Sequence, residues 1–174
     1  MNICTDIEEK RVTPEYFPFV VEMDSDAGVK YSFDEATGML FAGKMFASAV
    51  SGVSIGFVPR TCAPDGGPLE VLLLCAKPIV PMSLTKAHPI GVLAFENGKE
   101  AVVAAPSFDS IYGKTDTIER IDSNVFRSVE RFCNLCGNSG AIIRKSGRKD
   151  AESIIRTALL RFRNEIDKPE RWLR

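Results

Sequence analysis

The chain has 174 residues, of which 45% are hydrophobic, and its 22 basic and 23 acidic side chains give a net charge of −1. This composition predicts a globular protein with one domain, residues 1–174, and argues against intrinsic disorder. The basic residues form no stripe of the kind that binds nucleic acid, and no apolar run approaches the roughly 18 residues of a membrane span.

Short strands are predicted over the first two thirds of the chain. They are rich in aromatic and β-branched residues and are bounded by Pro, Gly or polar loops. In chain order they are Tyr16–Met23, Val29–Asp34, Met39–Phe46, Gly56–Val58, Leu69–Cys75, Pro89–Glu96 and Lys99–Ala105. Strands this short and this numerous favour a small barrel.

Two loops between these strands are predicted to be tight. The segment Glu35-Ala36-Thr37-Gly38 looks like a short hairpin loop. The dipeptide Asn97-Gly98 suits a two-residue turn in which both residues have positive φ.

The last third of the chain changes to a helical period. In the first predicted helix the apolar residues fall on one face: Val125, Val129, Phe132 and Cys136. Asp122 or Ser123 can cap its start, and Gly137 follows its last periodic residue. A second helix is predicted from near Asp150 to a stop at Pro169, with Ile155, Leu159, Phe162 and Ile166 on its apolar face. Both helices are expected outside the barrel.

Several blocks of sequence are more specific together, and in this order, than any one of them alone. They are Val29-Lys30-Tyr31, Asp34–Leu40, Gly56–Thr61, Asp65–Leu72, His88–Leu93 and Val102–Pro106. In order and spacing they resemble the family I inorganic pyrophosphatases. The resemblance implies an α+β, mainly β fold: a five-stranded OB-like β-barrel with two C-terminal α-helices packed outside.

The chemistry of that family explains its acidic signature, which reads Asp, small residue, Asp, Pro, apolar, Asp, apolar. Pyrophosphate is a highly charged anhydride, and several Mg²⁺ ions neutralise it and generate hydroxide from bound water. Hard Mg²⁺ prefers carboxylate oxygens, while Lys, Arg and Tyr side chains hold the phosphate oxygens. The resemblance therefore implies pyrophosphate or phosphate as ligand and Mg²⁺ as the ion if the protein is active.

The signature is incomplete in this chain. Asp65 matches the first Asp and is the best candidate for a metal ligand. Gly67 stands where the family has the Asp that helps to activate the nucleophilic water. Glu70 matches the third Asp but is one methylene longer, and Mg²⁺ demands near-ideal geometry. The resemblance implies Asp65 and Glu70 as the remaining catalytic and metal-binding residues.

The other site positions are also altered. Glu22 and Lys30 match an acidic metal ligand and a basic substrate-binding residue on the first strands. Lys44 stands where a phosphate-binding Arg is expected, so it keeps the charge but loses the bidentate fork. Three further positions depart from the family pattern: Ser32, Gly43 and Ile55 replace Glu, Asp and Tyr.

Two later segments of the family site are reduced. The turn at Asn97-Gly98 shortens a hairpin that carries two metal-binding Asp residues and a Lys in the family, and Glu96 and Glu100 are the acids left there. Ala101 or Val102 replaces the Lys. On the first helix, Phe132-Cys133 stands where the family has a Tyr-Lys pair.

Each of these residues also has a purely structural interpretation. Asp65 in Asp-Gly-Gly-Pro can initiate a turn, and Glu70 can be a solvated strand end. Lys30 and Lys44 can be ordinary surface lysines, and Glu22 is equally open. Other residues are expected to have structural roles: Cys133 and Cys136 in core packing, because no second Cys pair is available for zinc, and His88 before its strand.

Three functions compete on this evidence. We favour a weak or inactive pseudoenzyme that acts through binding or assembly, because loss of a positioned base costs about 10²–10⁴ in rate and several ligands are missing as well. The alternative is an active Mg²⁺-dependent inorganic diphosphatase that uses Asp65, Glu70, Glu96 and Glu100. The third is hydrolysis or binding of a different phosphate compound.

A structural test can separate the first two functions. Convergence of the acidic residues on one cavity with Lys30 and Lys44 favours activity, whereas apolar filling from Ile55 and Phe132 favours the pseudoenzyme. The family resemblance also implies a homo-oligomer. The polar N-terminus and the odd count of five cysteines predict a cytoplasmic, reducing location.

Overall fold

The computed structural model describes residues 3–24, 28–34, 37–45, 52–137 and 139–166. Within these ranges the strands are β1 (Phe17–Asp24), β2 (Val29–Asp34), β3 (Met39–Met45), β4 (Val53–Val58), β5 (Leu69–Leu74), β6 (Leu84–Phe95), β7 (Glu100–Pro106) and β8 (Ile142–Gly147). The helices are α1 (Ser123–Gly137) and α2 (Arg148–Ile166), and short 3₁₀ turns occupy Glu9–Arg11 and Ile118–Arg120. None of the described helices is long and apolar enough to cross a membrane.

Five strands close into a ring. The sheet runs β1-β4-β5-β7-β6, and a further antiparallel pairing of β6 with β1 completes the circuit. The other pairings in the ring are antiparallel except that of β5 with β7, which is parallel. The predicted five-stranded OB-like barrel with two C-terminal helices is confirmed.

The long strand β6 begins earlier than predicted, at Leu84 rather than Pro89. Its first residues pair with β1, and its last residues pair with both β7 and β8. The register against β7 shifts between Pro89 and Gly91. Pro has no N–H to donate to a ladder, so it is tolerated inside a strand at such an irregularity.

Both faces of the barrel wall are covered by apolar side chains. Alternate wall residues such as Ile55 and Leu72 pack with Phe126, Val129 and Phe132 of α1 in one cluster. The intervening wall residues, among them Val71 and Leu73, pack with a second cluster that includes three residues of α2: Ala151, Ile155 and Ala158. Each fully buried side chain of this size contributes about 1.5–3 kcal/mol, so these two clusters hold the fold together.

The start of α1 is capped as predicted. The Asp122 carboxylate accepts a hydrogen bond from Asn124 N at 2.7 Å and so satisfies one of the free N–H groups of the first turn. The second helix begins at Arg148, slightly before the predicted Asp150. The predicted stop at Pro169 lies outside the described residues.

The strands β2 and β3 form a separate two-stranded hairpin. Its turn is closed by Gly38, whose φ of +71° suits glycine and whose N–H donates to Asp34 O at 2.8 Å. The Phe33 ring packs on Phe57 of the barrel at a centroid distance of 4.9 Å. Residues 35 and 36 of the predicted loop lie outside the described ranges.

The turn between β6 and β7 differs from the prediction. Gly98 has positive φ, but Asn97 does not. Gly98 N donates to Phe95 O at 2.9 Å, and Phe95 N donates to Lys99 O at 2.9 Å. The connection is therefore longer than the predicted two-residue turn and ends on a glycine in the left-handed region. Of Asn97 and Gly98, only Gly98 has positive φ.

Candidate functional site

A cavity of about 450 Å³ lies between the β2–β3 hairpin, the wall strands β4 and β5, the β6–β7 turn and the end of α1. Four carboxylates of the described residues line it: Glu22, Asp65, Glu70 and Glu100. They include four of the five residues predicted as metal ligands. The wall between them is apolar and includes Ile55, Phe57, Leu72 and Phe95. The cavity therefore combines convergent acids with a partly apolar surface.

The Glu22 side chain is tied to the hairpin. Its Oε1 atom accepts a hydrogen bond from the backbone N–H of Phe33, across the gap between β1 and β2. The carboxylate is partly buried, so this bond also satisfies a backbone donor that faces away from water. Glu22 thus has a structural function that does not require a metal.

Asp65 lies in the turn that precedes β5. Its Oδ1 accepts a hydrogen bond from Gly67 N at 3.1 Å, which is the geometry of an Asx turn. The same turn is closed by Gly66 N to Ala63 O at 2.9 Å and Ala63 N to Gly67 O at 2.8 Å. Asp65 therefore stabilises its own turn and also lies on the cavity wall.

The two remaining cavity carboxylates lie on neighbouring strands of the parallel pair. Glu70, on β5 opposite Phe57 of β4, has an exposed side chain. Glu100, at the start of β7, forms an ion pair with Arg144 of β8. The strand that supplies this cation was not predicted, so the pairing of Glu100 was not expected either.

Glu96 does not line the cavity with the other acids. Its Oε2 accepts a hydrogen bond from Ala141 N at 3.0 Å. The Glu96 side chain also lies against Gly140, where a Cβ atom would come within 2.7 Å of Oε2. Glu96 therefore supports the loop between α1 and β8.

Of the two predicted substrate-binding lysines, the structure describes the side chain of Lys44 alone. Lys44 is exposed on β3 and is absent from the cavity wall, and the side chain of Lys30 lies outside what the structure describes. Among the described lining residues the cation is Lys99, in the β6–β7 turn. Sequence reasoning missed it because the family lysine was sought at Ala101 or Val102.

Two thiols of α1 also line the cavity. Cys133 is buried in the apolar cluster, and Cys136 is partly buried beside it. Burial raises the pKa of Cys133 to about 12, with smaller contributions from Cys136 and Glu70. The Cys133 thiol is protonated at neutral pH and is not a nucleophile, so it behaves as the core residue that the sequence predicted, next to a fully buried Phe132.

The arrangement does not fit a cluster of Mg²⁺ ions. Glu22, Asp65 and Glu100 each bind a donor of the protein itself. Among the described residues, no three His, Cys, Asp or Glu side chains are grouped so that they could hold a metal ion. Mg²⁺ requires near-octahedral oxygen ligands, and the described carboxylates are not grouped so as to supply several of them to one ion.

A carboxylate outside the cavity is more completely satisfied. Asp109 is buried, and its oxygens accept hydrogen bonds from Ile111 N, Tyr112 N and Ala76 N at 2.7 Å each and from Cys75 Sγ at 3.2 Å. Burial by itself raises the pKa of Asp109, but these four donors outweigh it and hold the pKa below its ordinary value. Asp109 ties the loop after β7 to the end of β5.

His88 also has a structural position. It is buried on β6, and its Nε2 lies 2.8 Å from Thr115 O, which requires that nitrogen to donate. The Tyr16 ring lies next to it at a centroid distance of 6.0 Å. This environment agrees with the structural role predicted for His88.

Comparison with known proteins gives a consistent result. Residues 19–163 match the family model described as inorganic pyrophosphatase. The chain is 31% identical over 131 residues to soluble inorganic pyrophosphatase 2 of Chlamydomonas reinhardtii. The aligned region covers 73% of this chain and 68% of that protein. It is 29% identical over 176 residues to an inorganic pyrophosphatase of Aeropyrum pernix, with 94% and 99% covered.

Solved structures share the same fold. The inorganic pyrophosphatase from Thermus thermophilus superposes with a TM-score of 0.78 at 23% identity, covering 94% of this chain and 99% of that one. The structure of an inorganic phosphatase from Anaplasma phagocytophilum gives a TM-score of 0.77 at 28% identity, covering 91% and 99%. The similarity extends over the barrel and both helices.

Proposed function

This chain belongs to the inorganic pyrophosphatase family, and from that membership we propose that it keeps the family barrel and cavity but hydrolyses pyrophosphate weakly or not at all. The observation that carries the proposal is the state of the cavity carboxylates. Glu22 holds the hairpin, Asp65 holds its own turn, and Glu100 is paired with a cation. One oxygen of each serves the fold, and the described acids are not grouped around a common ion position.

The charge on the cavity wall supports the same proposal. The described lining carries four carboxylates and Lys99. Pyrophosphate is itself a highly charged anion, and like charges a few ångströms apart repel by about 1 kcal/mol per pair in water and by more where the site is partly buried. Unless metal ions intervene, the cavity repels this substrate.

Loss of the water-activating position adds to the deficit. Gly67 lies on the cavity wall where the family signature has its second Asp. Removal of a positioned general base lowers a rate by about 10²–10⁴. Because Gly67 has no side chain, a neighbouring residue must provide any compensation.

A second function is favoured by one observation. Glu22, Asp65, Glu70 and Glu100 do line one cavity, as an active Mg²⁺-dependent inorganic diphosphatase with an altered carboxylate set requires. For this function the four carboxylates must move close enough to share ions, because no three of the described acids are grouped to do so. Binding or hydrolysis of a different phosphate compound is the outcome to consider if pyrophosphate is rejected.

Other properties predicted from the sequence or from the family resemblance stay predictions. They are a single domain over residues 1–174, a homo-oligomeric assembly, a cytoplasmic location and Mg²⁺ as the ion of any active form. Analytical ultracentrifugation of the purified chain measures the assembly directly, and a monomer at micromolar concentration would contradict the predicted oligomer.

The proposal is tested by phosphate release from pyrophosphate, measured with Mg²⁺ and with Mn²⁺. We expect background release from the unmodified protein and no change in the Asp65→Ala variant. An active family member assayed in parallel controls for the conditions. Turnover that Asp65→Ala abolishes contradicts the proposal and supports the active diphosphatase.

A restoring variant sharpens this test. At Gly67 a Cβ atom would meet only Asp65 Oδ1, at 3.7 Å, so the backbone leaves room for a side chain to begin there. Gly67→Asp returns the missing signature carboxylate, and Gly67→Asn is its uncharged match. Calorimetric titration with Mg²⁺ is expected to give tighter binding to Gly67→Asp than to Gly67→Asn, whereas equal binding shows that the remaining carboxylates cannot join an ion site.

A further inference from the structure

A second concavity, which we call the cationic pocket, lies at the other end of β6. It has a volume of about 500 Å³ and is formed where the 3₁₀ turn Glu9–Arg11 meets the starts of β1 and β6. Its polar lining consists of Lys10, Arg11, Thr13, Tyr16, Thr85 and Lys86, and its apolar floor includes Phe17 and Leu84. No acidic residue is among the described residues that line it.

The acidic residues of the same segment are already paired. Glu8 binds Lys10 at 3.1 Å. Glu9 binds Arg163 at 2.7 Å, and Glu15 lies 3.7 Å from Arg156. These pairs neutralise the local carboxylates with cations, most of which come from α2. The charges of Arg11 and Lys86 are therefore left to face the pocket.

The Lys86 side chain is positioned by an aromatic ring. Its Nζ lies 4.9 Å from the centroid of Tyr16, within the range of a cation–π contact. Arg148 lies 5.8 Å from the same centroid, and its guanidinium is also held by Glu152 at 2.7 Å. The ring thus orders Lys86 at the pocket, which lowers the entropy cost of using it to bind a ligand.

We propose that the cationic pocket binds a small multiply charged anion of the phosphate or polyphosphate class. Arg11 offers a planar fork that matches two phosphate oxygens, and Lys86 supplies a point charge. Lys10 also lines the pocket, but its charge is paired with Glu8. The Thr85 hydroxyl adds a neutral donor at the same wall, whereas the Thr13 hydroxyl already donates to Tyr16 O at 3.1 Å. The charges of Arg11 and Lys86 attract a multivalent anion more strongly than a monovalent one.

This site is separate from the acidic cavity. The residues that line the two share no member, and their charges are opposite in sign. Binding in the cationic pocket does not depend on hydrolysis, on metal ions or on the state of Asp65. The inference therefore stands or falls independently of the proposed function.

The test is isothermal titration of the full chain with inorganic tripolyphosphate at low ionic strength, after a chelating resin has removed divalent cations from the protein and buffer. We expect saturable binding that weakens as NaCl is raised, because the contacts are ionic. The double variant Arg11→Gln/Lys86→Gln is expected to bind at least about tenfold more weakly, since it removes the two charges that face the pocket. Both side chains are exposed, so the variant should keep the thermal midpoint of the unmodified protein.

Two matched controls locate the binding. Lys77→Gln removes an exposed lysine that lines none of the described cavities, and Lys99→Gln removes the cation of the acidic cavity. Both are expected to leave the affinity within about twofold, which lies inside the usual effect of a distant surface charge. Absence of binding by the unmodified protein, or an equal loss in Lys77→Gln or Lys99→Gln, overturns the proposal.

Discussion

Two glycines from the same group of family-like blocks meet opposite surroundings. Gly56 lies in the barrel wall on β4, where a Cβ atom would overlap the Val20 carbonyl oxygen of β1 and come within 2.5 Å of the Phe19 ring. Gly67 lies on the cavity wall, where the nearest atom to a Cβ is Asp65 Oδ1 at 3.7 Å. The backbone requires glycine at the first position and does not require it at the second. The fold therefore requires the glycine of the barrel wall, but it does not require the glycine that replaces an Asp of the family signature.

The largest expected effect comes from Gly56→Ala. The added methyl group can be accommodated only if β1 and β4 move apart, which breaks ladder bonds on a strand that is buried along its length. We expect a loss of about 3 kcal/mol or more in the free energy of unfolding, at or beyond the upper end for overpacking. Urea denaturation followed by circular dichroism measures it.

Gly67→Ala is the matched control for this substitution. The position has open space and no positive φ, so we expect a change within about 0.5 kcal/mol. A similar loss in both variants contradicts the comparison, because it would mean that the cavity turn is as constrained as the barrel wall.

The barrel was predictable because its signals are local. Strands buried on both faces, such as β5, appear as continuous apolar runs, and the helices show a clear period. The strand β8 was missed because, among the described strands, it pairs with β6 alone and carries Arg144, Lys145 and Ser146 on a largely exposed surface. Its place depends on a tertiary pairing that has no periodic signature.

The location of the candidate site residues could be predicted better than their hydrogen bonds and ion pairs. The family resemblance implied Glu22, Asp65, Glu70, Glu96 and Glu100 as metal ligands, and all of these except Glu96 line one cavity. The sequence could not indicate that Glu96 supports the Ala141 loop or that Glu100 is paired across to β8. These bonds join residues about 45 positions apart along the chain. Which protein donor a carboxylate binds is settled by packing, which leaves no local pattern.

The next largest effect is expected at Asp109, a carboxylate whose bonding contrasts with that of Asp65. Each carboxylate oxygen of Asp109 accepts hydrogen bonds from two donors. Asp109→Asn replaces one of these oxygens by an NH₂ group, so two of the donors then face another donor. We expect a loss of about 2–3 kcal/mol, since bonds to a charged group and buried unsatisfied donors are both involved. Chemical denaturation at pH 7 is the measurement, and Asp65→Asn, with its single Asx-turn bond, should cost under about 1 kcal/mol.

The difference in unfolding free energy between the unmodified protein and Asp109→Asn is expected to depend on pH in one direction. The folded pKa of Asp109 is below its ordinary value, so the ionised group stabilises the native state at pH values above the unfolded pKa of about 3.9. That contribution falls as the pH drops through the lower folded pKa. The difference between the unmodified protein and Asp109→Asn should therefore be full at pH 6 and shrink below about pH 4. A difference that grows on acidification contradicts the assignment.

The smallest effect on stability is expected where the acidic cavity meets solvent. The Arg144 and Glu100 side chains are 59% and 45% exposed, so their ion pair is screened by water and salt. Arg144→Gln is expected to change the free energy of unfolding by about 0–1 kcal/mol, as Arg120→Gln should for the exposed pair with Asp116.

The same substitution changes the cavity more than it changes the fold. Arg144→Gln leaves the Glu100 carboxylate beside Glu70 and Asp65 on the cavity wall without its cation. If protein donors are what keep these acids from a common ion, the variant should bind Mg²⁺ several-fold more tightly in a calorimetric titration, whereas Arg120→Gln should not. An unchanged Mg²⁺ affinity would place the obstacle in the spacing of the carboxylates and not in their partners. In that case only a new side chain, such as one at Gly67, could supply the missing ligand.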